Sequence, residues 1–96
     1  MSKRVPESIG DRVRQARTLV GLSQNKLAAL TGLPSSHARA IEERENLRTD
    51  TAASIARTLG LSLDWLIAGT GPRPTRESVK AAVEAAEARV RAIRAA

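Results

Sequence analysis

Apolar side chains fall along this chain at intervals of three and four, the spacing of one helix face, and not in the alternation of a strand. Ile9, Val13, Ala16 and Val20 open the series, with Asp11, Arg12 and Arg14 on the opposite side. Residues 6–20 therefore read as an amphipathic helix, ended by Gly21. Ser23 offers a hydroxyl to an orphan amide at the head of a short second helix carrying Leu27, Ala28 and Leu30, and Gly32 stops it. Pro34, with no amide hydrogen and a preset φ, suits the first turn of a third helix. That helix turns Ala38 and Ile41 inward and fades near Glu45 and Asn46. Thr49 and Asp50 signal a fourth, with Ala52, Ile55, Ala56 and Leu59 on its apolar face and Gly60 at its close. Ser62 caps a fifth over 63–68, which supplies Leu63, Trp65 and Leu66 and ends at Gly69.

Gly69-Thr70-Gly71-Pro72-Arg73-Pro74 is dense in helix breakers and reads as a linker or a sharp reversal. The expected division is a compact domain over 1–71 and an appendage over 72–96. From Thr75 onward an Ala-rich stretch places Val79, Val83, Ala86, Val90 and Ile93 at intervals of four, three, four and three, the stripe of a sixth, amphipathic helix. The stripe spans about two heptads without a leucine, too little for a stable isolated coiled coil, although a Glu87–Arg91 pair supports the helix itself. It needs a surface. Three uses are open to it: a dimer or partner-protein interface, packing on its own bundle, or a mobile tail whose basic side chains attach to a polyanion.

Composition narrows the class. With 96 residues, 42% of them hydrophobic, the chain fills one core, and the dominance of Ala, Leu, Arg and Glu with 1% aromatics makes that core all-α. No cysteine is present, which removes disulfide frameworks and thiolate metal sites. No apolar run reaches membrane-spanning length, and Met1-Ser2-Lys3-Arg4 leads into polar sequence, so the expected location is the cytoplasm, with no membrane partner. A formal charge of +6 favours polyanions. Its distribution complicates the picture: residues 1–32 hold six basic and two acidic side chains, 33–71 four and five, and 72–96 six and three.

Two short helices joined by a tight bend at Gly32 form the unit with which many proteins lay one helix across the DNA backbone and the next into the major groove. Helical hairpins of this kind also occur in unrelated bundles. The residues themselves say more. Gly21-Leu22-Ser23-Gln24, Lys26-Leu27-Ala28, Gly32-Leu33, Ile41-Glu42, Ile55-Ala56, Leu59-Gly60-Leu61 and Ser62-Leu63-Asp64-Trp65-Leu66 together resemble the Cro and phage-repressor (Xre-like) helix-turn-helix family, without gaps over 9–70. The resemblance implies a five-helix bundle that binds double-stranded operator DNA as a two-fold homodimer, here with an additional C-terminal helix. Its recognition helix would span 35–44.

Carried over by position, Gln24 resembles the family's phosphate-contacting glutamine at the head of the second helix, with Asn25 beside it. Ser35, Ser36 and Ala40 fall where the family places base-reading side chains. Two hydroxyls and a methyl lack the bidentate forks worth about 1–3 kcal/mol per base, so their discrimination is modest. Arg39, four residues beyond Ser35, either supplies the missing reach or pairs with Glu42 or Glu43 on its own helix. His37, a lone histidine, makes no metal site and reads as a backbone contact or a solvated side chain. Arg44 and Arg48 flank the loop where the family touches the sugar-phosphate backbone, or are ordinary surface charge. Arg17 and Glu42 stand at the positions of a structural ion pair joining the first helix to the end of the recognition helix. Trp65 reads as core. Thr31 stands where the family prefers an aliphatic residue and Leu30 where it prefers a polar one.

The expected function is a DNA-binding transcription regulator, a repressor in the first reading, with no cofactor. The alternative is a protein-interaction module or antitoxin derived from the same bundle, favoured by Glu42, Glu43 and Glu45 near the recognition segment, whose C-terminal helix binds a protein antagonist or toxin. An enzyme is not expected: one histidine supports no nucleophile–base arrangement, and no phosphate-cradling Gly-rich loop precedes a helix lysine.

Overall fold

In the computed structural model of the chain, which describes residues 8–44 and 46–95, six helices and no strand occur among the described residues. The expected helix start at Pro6 and the fade at Glu45 lie outside them. Ser8 accepts a hydrogen bond from the amide of Asp11 at 3.1 Å and starts α1, Ile9–Leu19. Ser23 does the same for the amide of Lys26 at 3.0 Å and starts α2, Gln24–Thr31, which closes on Gly32 in the left-handed region. Residues Ser35–His37 form a 3-10 turn that runs into α3, Ala38–Glu42. The third helix is therefore shorter than the expected 35–44 and opens more tightly wound, with Ala38 its first buried side chain.

α4, Thr49–Leu59, begins after Arg48, which makes no side-chain cap; Thr49 is its first residue and Asp50 lies in its first turn. α5, Leu63–Ala68, is capped by Ser62 through the amide of Trp65 at 2.9 Å. Leu63, expected inside, is 46% exposed: the six-residue helix turns only Trp65 and Leu66 into the core. Thr75 and Ser78 cap α6, Arg76–Ala95, reciprocally, each hydroxyl accepting the other residue's amide at 3.0 Å.

The core is drawn from all parts of the chain. Val13, Ile55, Leu59, Leu66 and Val79 are its largest fully buried side chains, and Val83 and Ala86 join them from α6. Of the three uses open to the C-terminal stripe, its inner part, Val79, Val83 and Ala86, thus takes the packing on the chain's own bundle and not the dimer or partner interface first expected of these residues. Burying a valine fully contributes about 1.5–3 kcal/mol, enough to hold such a helix in place. Val90 is half-buried, and Ile93 is 74% exposed. The approach of α6 is set at Gly60, where φ is +68° and an added Cβ would lie 2.8 Å from the Cβ of Ala82.

Arg12 corrects the reading of α1. Placed on the polar side by the sequence, it is 6% exposed and donates from Nε to the Leu66 carbonyl at 2.7 Å and from Nη2 to the Ile67 carbonyl at 2.9 Å. A guanidinium thus satisfies carbonyls that a helix C-terminus leaves without partners, at the end of the dipole that favours a cation.

Candidate nucleic-acid interface

The bend between α2 and the recognition segment is closed by backbone hydrogen bonds. The amide of Leu33 donates to the Ala28 carbonyl at 2.9 Å, and that of His37 to the Pro34 carbonyl at 2.9 Å. Thr31 turns its hydroxyl back to the Leu27 carbonyl at 2.8 Å, which lets a polar residue stand at a half-buried position. Ala38 and Ile41, 7% and 5% exposed, pin α3 to the core. With those two inward, Ser35, Ser36, His37, Arg39 and Arg44 are left exposed, and Ala40 is half-buried.

Glu42 is the node that fixes this segment to the rest. Arg17 grips its carboxylate with two donors, Nε on Oε2 and Nη2 on Oε1 at 3.1 Å, while Nη1 of Arg17 donates to the Leu22 carbonyl at 2.7 Å. Nε2 of Gln24 donates to Oε1 of the same carboxylate at 3.2 Å. The side chains of Arg17 and Glu42 are 13% and 5% exposed. A carboxylate so enclosed is kept ionised only by matched charge and hydrogen bonds, and a bidentate guanidinium supplies both. One anion thus joins α1, the α1–α2 connection, the head of α2 and the end of α3.

This arrangement changes the electrostatics read from the sequence. Glu42 is turned away from solvent and neutralised, so among the described residues the charges left on the outer side of the recognition segment are Arg39, Glu43 and Arg44, followed by Arg48, with Glu45 outside the described residues. Glu42 is held by Arg17 and Gln24, which leaves Arg39 exposed. A shallow depression beside α3, floored by Leu33, Ala40 and Leu47, is rimmed by His37, Arg44 and Arg48. The side chain of Arg48 is 84% exposed and 3.4 Å from Asp50. Gln24 is half-buried and Asn25 exposed at the head of α2. Trp65, 3% exposed, is core.

α1 approaches the end of α3 closely. The amide of Gly10 donates to the Arg44 carbonyl at 3.1 Å, and a Cβ at position 10 would stand 2.5 Å from the Glu42 carbonyl oxygen and 2.7 Å from that of Arg44. Only glycine allows that contact.

Two cations near the head of α2 escaped the sequence reading. Arg14, with its side chain 70% exposed, reaches within 4.0 Å of Glu42 from α1, and its spacing of three from Arg17 was the available signal. Lys26, two residues after Gln24, lies 3.7 Å from Glu87 of α6, a contact between distant segments that no local pattern announces. Among the described residues no group of three His, Cys, Asp or Glu side chains could hold a metal ion, and no helix is long and apolar enough to cross a membrane.

The helix-turn-helix family model matches residues 13–66, from the middle of α1 into α5, and so contains both α2 and the whole recognition segment. No solved structure matches the chain.

Proposed function

The chain belongs to the Cro/C1-type helix-turn-helix family, whose members are DNA-binding transcription regulators and generally not enzymes, and from that premise we propose a repressor that binds a two-fold operator as a homodimer. The recognition segment, 35–44, enters the major groove, and the two copies read successive grooves about 34 Å apart. The observation that carries this reading is the outward presentation of Ser35, Ser36 and Arg39, on a segment whose inward side chains and single buried carboxylate are fully committed to the scaffold.

Phosphates meet Gln24 and Asn25 at the head of α2 and His37, Arg44 and Arg48 around the depression beside α3. Ser35, Ser36, Arg39 and Ala40 face the bases. The short side chains of Ser35, Ser36 and Ala40 give little discrimination, so base preference rests mainly on Arg39, while affinity rests heavily on the backbone and falls steeply with salt. Leu63 and Ile67, four residues apart on α5 and 46% and 53% exposed, supply an apolar face for the dimer, since Val79, Val83 and Ala86 are already spent within the chain. Repression follows from occupancy of the site.

Selection of bound duplexes from a random pool tests the reading. Enriched sequences should contain two inverted half-sites about one helical turn apart, and binding should weaken as salt rises. A pool without enrichment, together with no binding at low ionic strength, overturns it.

A further inference from the structure

The side of α6 that meets α2 does not end at Glu87. Residues 87, 91 and 94, spaced four and three apart, share one face of the helix. The Lys26–Glu87 contact at 3.7 Å shows that this face is turned toward the first turn of α2. It therefore continues as Arg91 and Arg94, about 6 and 10 Å further along the axis at the usual rise per residue. Beyond Glu87 every charged side chain is an arginine, and Arg91 and Arg94 are both exposed. Arg89 and Val90 remain half-buried, so the helix still leans on the bundle where the basic run begins.

The path of α6 gives this run its place. Near its start, Ser78 and Ala82 pack on Gly60, which closes α4, whereas Arg48 on the proposed DNA side stands at the opposite end of that helix. By Glu87 it lies beside Lys26, two residues from Gln24. The helix thus runs from the far end of α4 to the head of α2, and its last turns extend past that point.

We propose that Arg91 and Arg94 form a second DNA contact, binding backbone phosphates outside the sequence read by residues 35–44. The inference rests on the DNA-binding reading above and adds a site to it. A guanidinium pair at spacing three suits adjacent phosphate oxygens and reads no base, so it increases affinity without altering the preferred sequence.

The test uses the full chain as wild type, Arg91→Gln/Arg94→Gln and Arg91→Lys/Arg94→Lys, titrated onto a selected duplex at several salt concentrations. The glutamine variant should lower the slope of log K against log salt by about 0.9 for each phosphate it no longer neutralises, keep the same sequence preference, and lose its deficit when the duplex flanks are trimmed. The lysine variant should keep most of the wild-type slope. An unchanged slope in the glutamine variant, with wild type binding normally, overturns this contact and leaves the regulator reading standing. A lowered slope accompanied by dissociation of the dimer in sedimentation overturns it too, assigning the end of α6 to self-association. Absence of salt-dependent binding by wild type removes both readings together.

Discussion

Arg12 and Leu66 are 54 positions apart in the chain, and the Nε–H of the first donates to the carbonyl oxygen of the second at 2.7 Å. The bond ties the first helix to the end of the fifth, and with the Ile67 carbonyl at 2.9 Å it takes up two acceptors that have no helical partner. Arg12→Met keeps much of the apolar stem and removes the donors. Hydrogen bonds to a charged group contribute about 1.5–3 kcal/mol, so stability should fall by about 2–3 kcal/mol. Urea unfolding monitored at Trp65 measures it; a change under about 0.5 kcal/mol would show the guanidinium to be incidental.

The Glu42 node predicts a strongly non-additive pair. Arg17→Met leaves an enclosed carboxylate with Gln24 as its main remaining donor and should cost about 3–5 kcal/mol. Adding Glu42→Leu removes the stranded charge and should restore much of the loss. A double-mutant cycle by chemical denaturation reads the coupling, and additive single effects would mean the pair does little to join α1 to α3.

At Gly10 stability and DNA binding should fail together. Gly10→Ala sets a methyl against the Glu42 and Arg44 carbonyls, which are backbone and cannot swing aside. Overpacking of this kind costs about 1–3 kcal/mol. Since the displaced atoms end the recognition helix, operator affinity should drop even where the protein is still folded. Calorimetry paired with fluorescence anisotropy on the selected duplex checks both; intact affinity in a destabilised variant argues against the coupling.

Base and backbone contacts separate by what they do to sequence preference. Arg39→Ala should weaken the preferred site by about 1–3 kcal/mol and bring it closer to random duplex. Arg48→Ala should weaken all sequences alike and lower the salt slope by about 1. Gln24→Ala should weaken binding with helix content retained. If neither Arg39→Ala nor Gln24→Ala alters binding, another surface of the protein meets DNA.

Removing the tail should uncover the core. Ending the chain after residue 71 deletes Val79, Val83 and Ala86, all buried against the bundle. The fragment should unfold at lower urea, with exposed apolar surface detectable by dye binding. Unchanged stability would establish 1–71 as a self-sufficient unit.

Much of this architecture was legible because local chemistry dictates it. Ser23 and Ser62 precede their helices and cap them, and Gly32, Gly60 and Gly69 end theirs in left-handed geometry. Arg12 stands three residues after Ile9 and four before Ala16, so its spacing puts it on the buried stripe while its charge points to solvent, and the carbonyls of Leu66 and Ile67 decide for the stripe. The docking of α6 was not legible for another reason. A stripe of small valines and alanines has the same pattern whether it covers its own bundle or another chain, and only the tertiary arrangement decides. At the interface, the sequence marked which side chains stand at the head of α2 and along 35–44, whereas the inward turn of Glu42 depends on donors from α1 and α2.

The tight winding of Ser35–His37 shifts the rotational phase of the residues ahead of α3. An uninterrupted α-helix would set Ser35 roughly 40° from Arg39 around the axis. With three residues per turn over this stretch, Ser35 swings to roughly 100° away, and Ser36 comes within roughly 20° of Arg39. The hydroxyl that shares a face with Arg39 is then that of Ser36, while Ser35 stands about a quarter turn away.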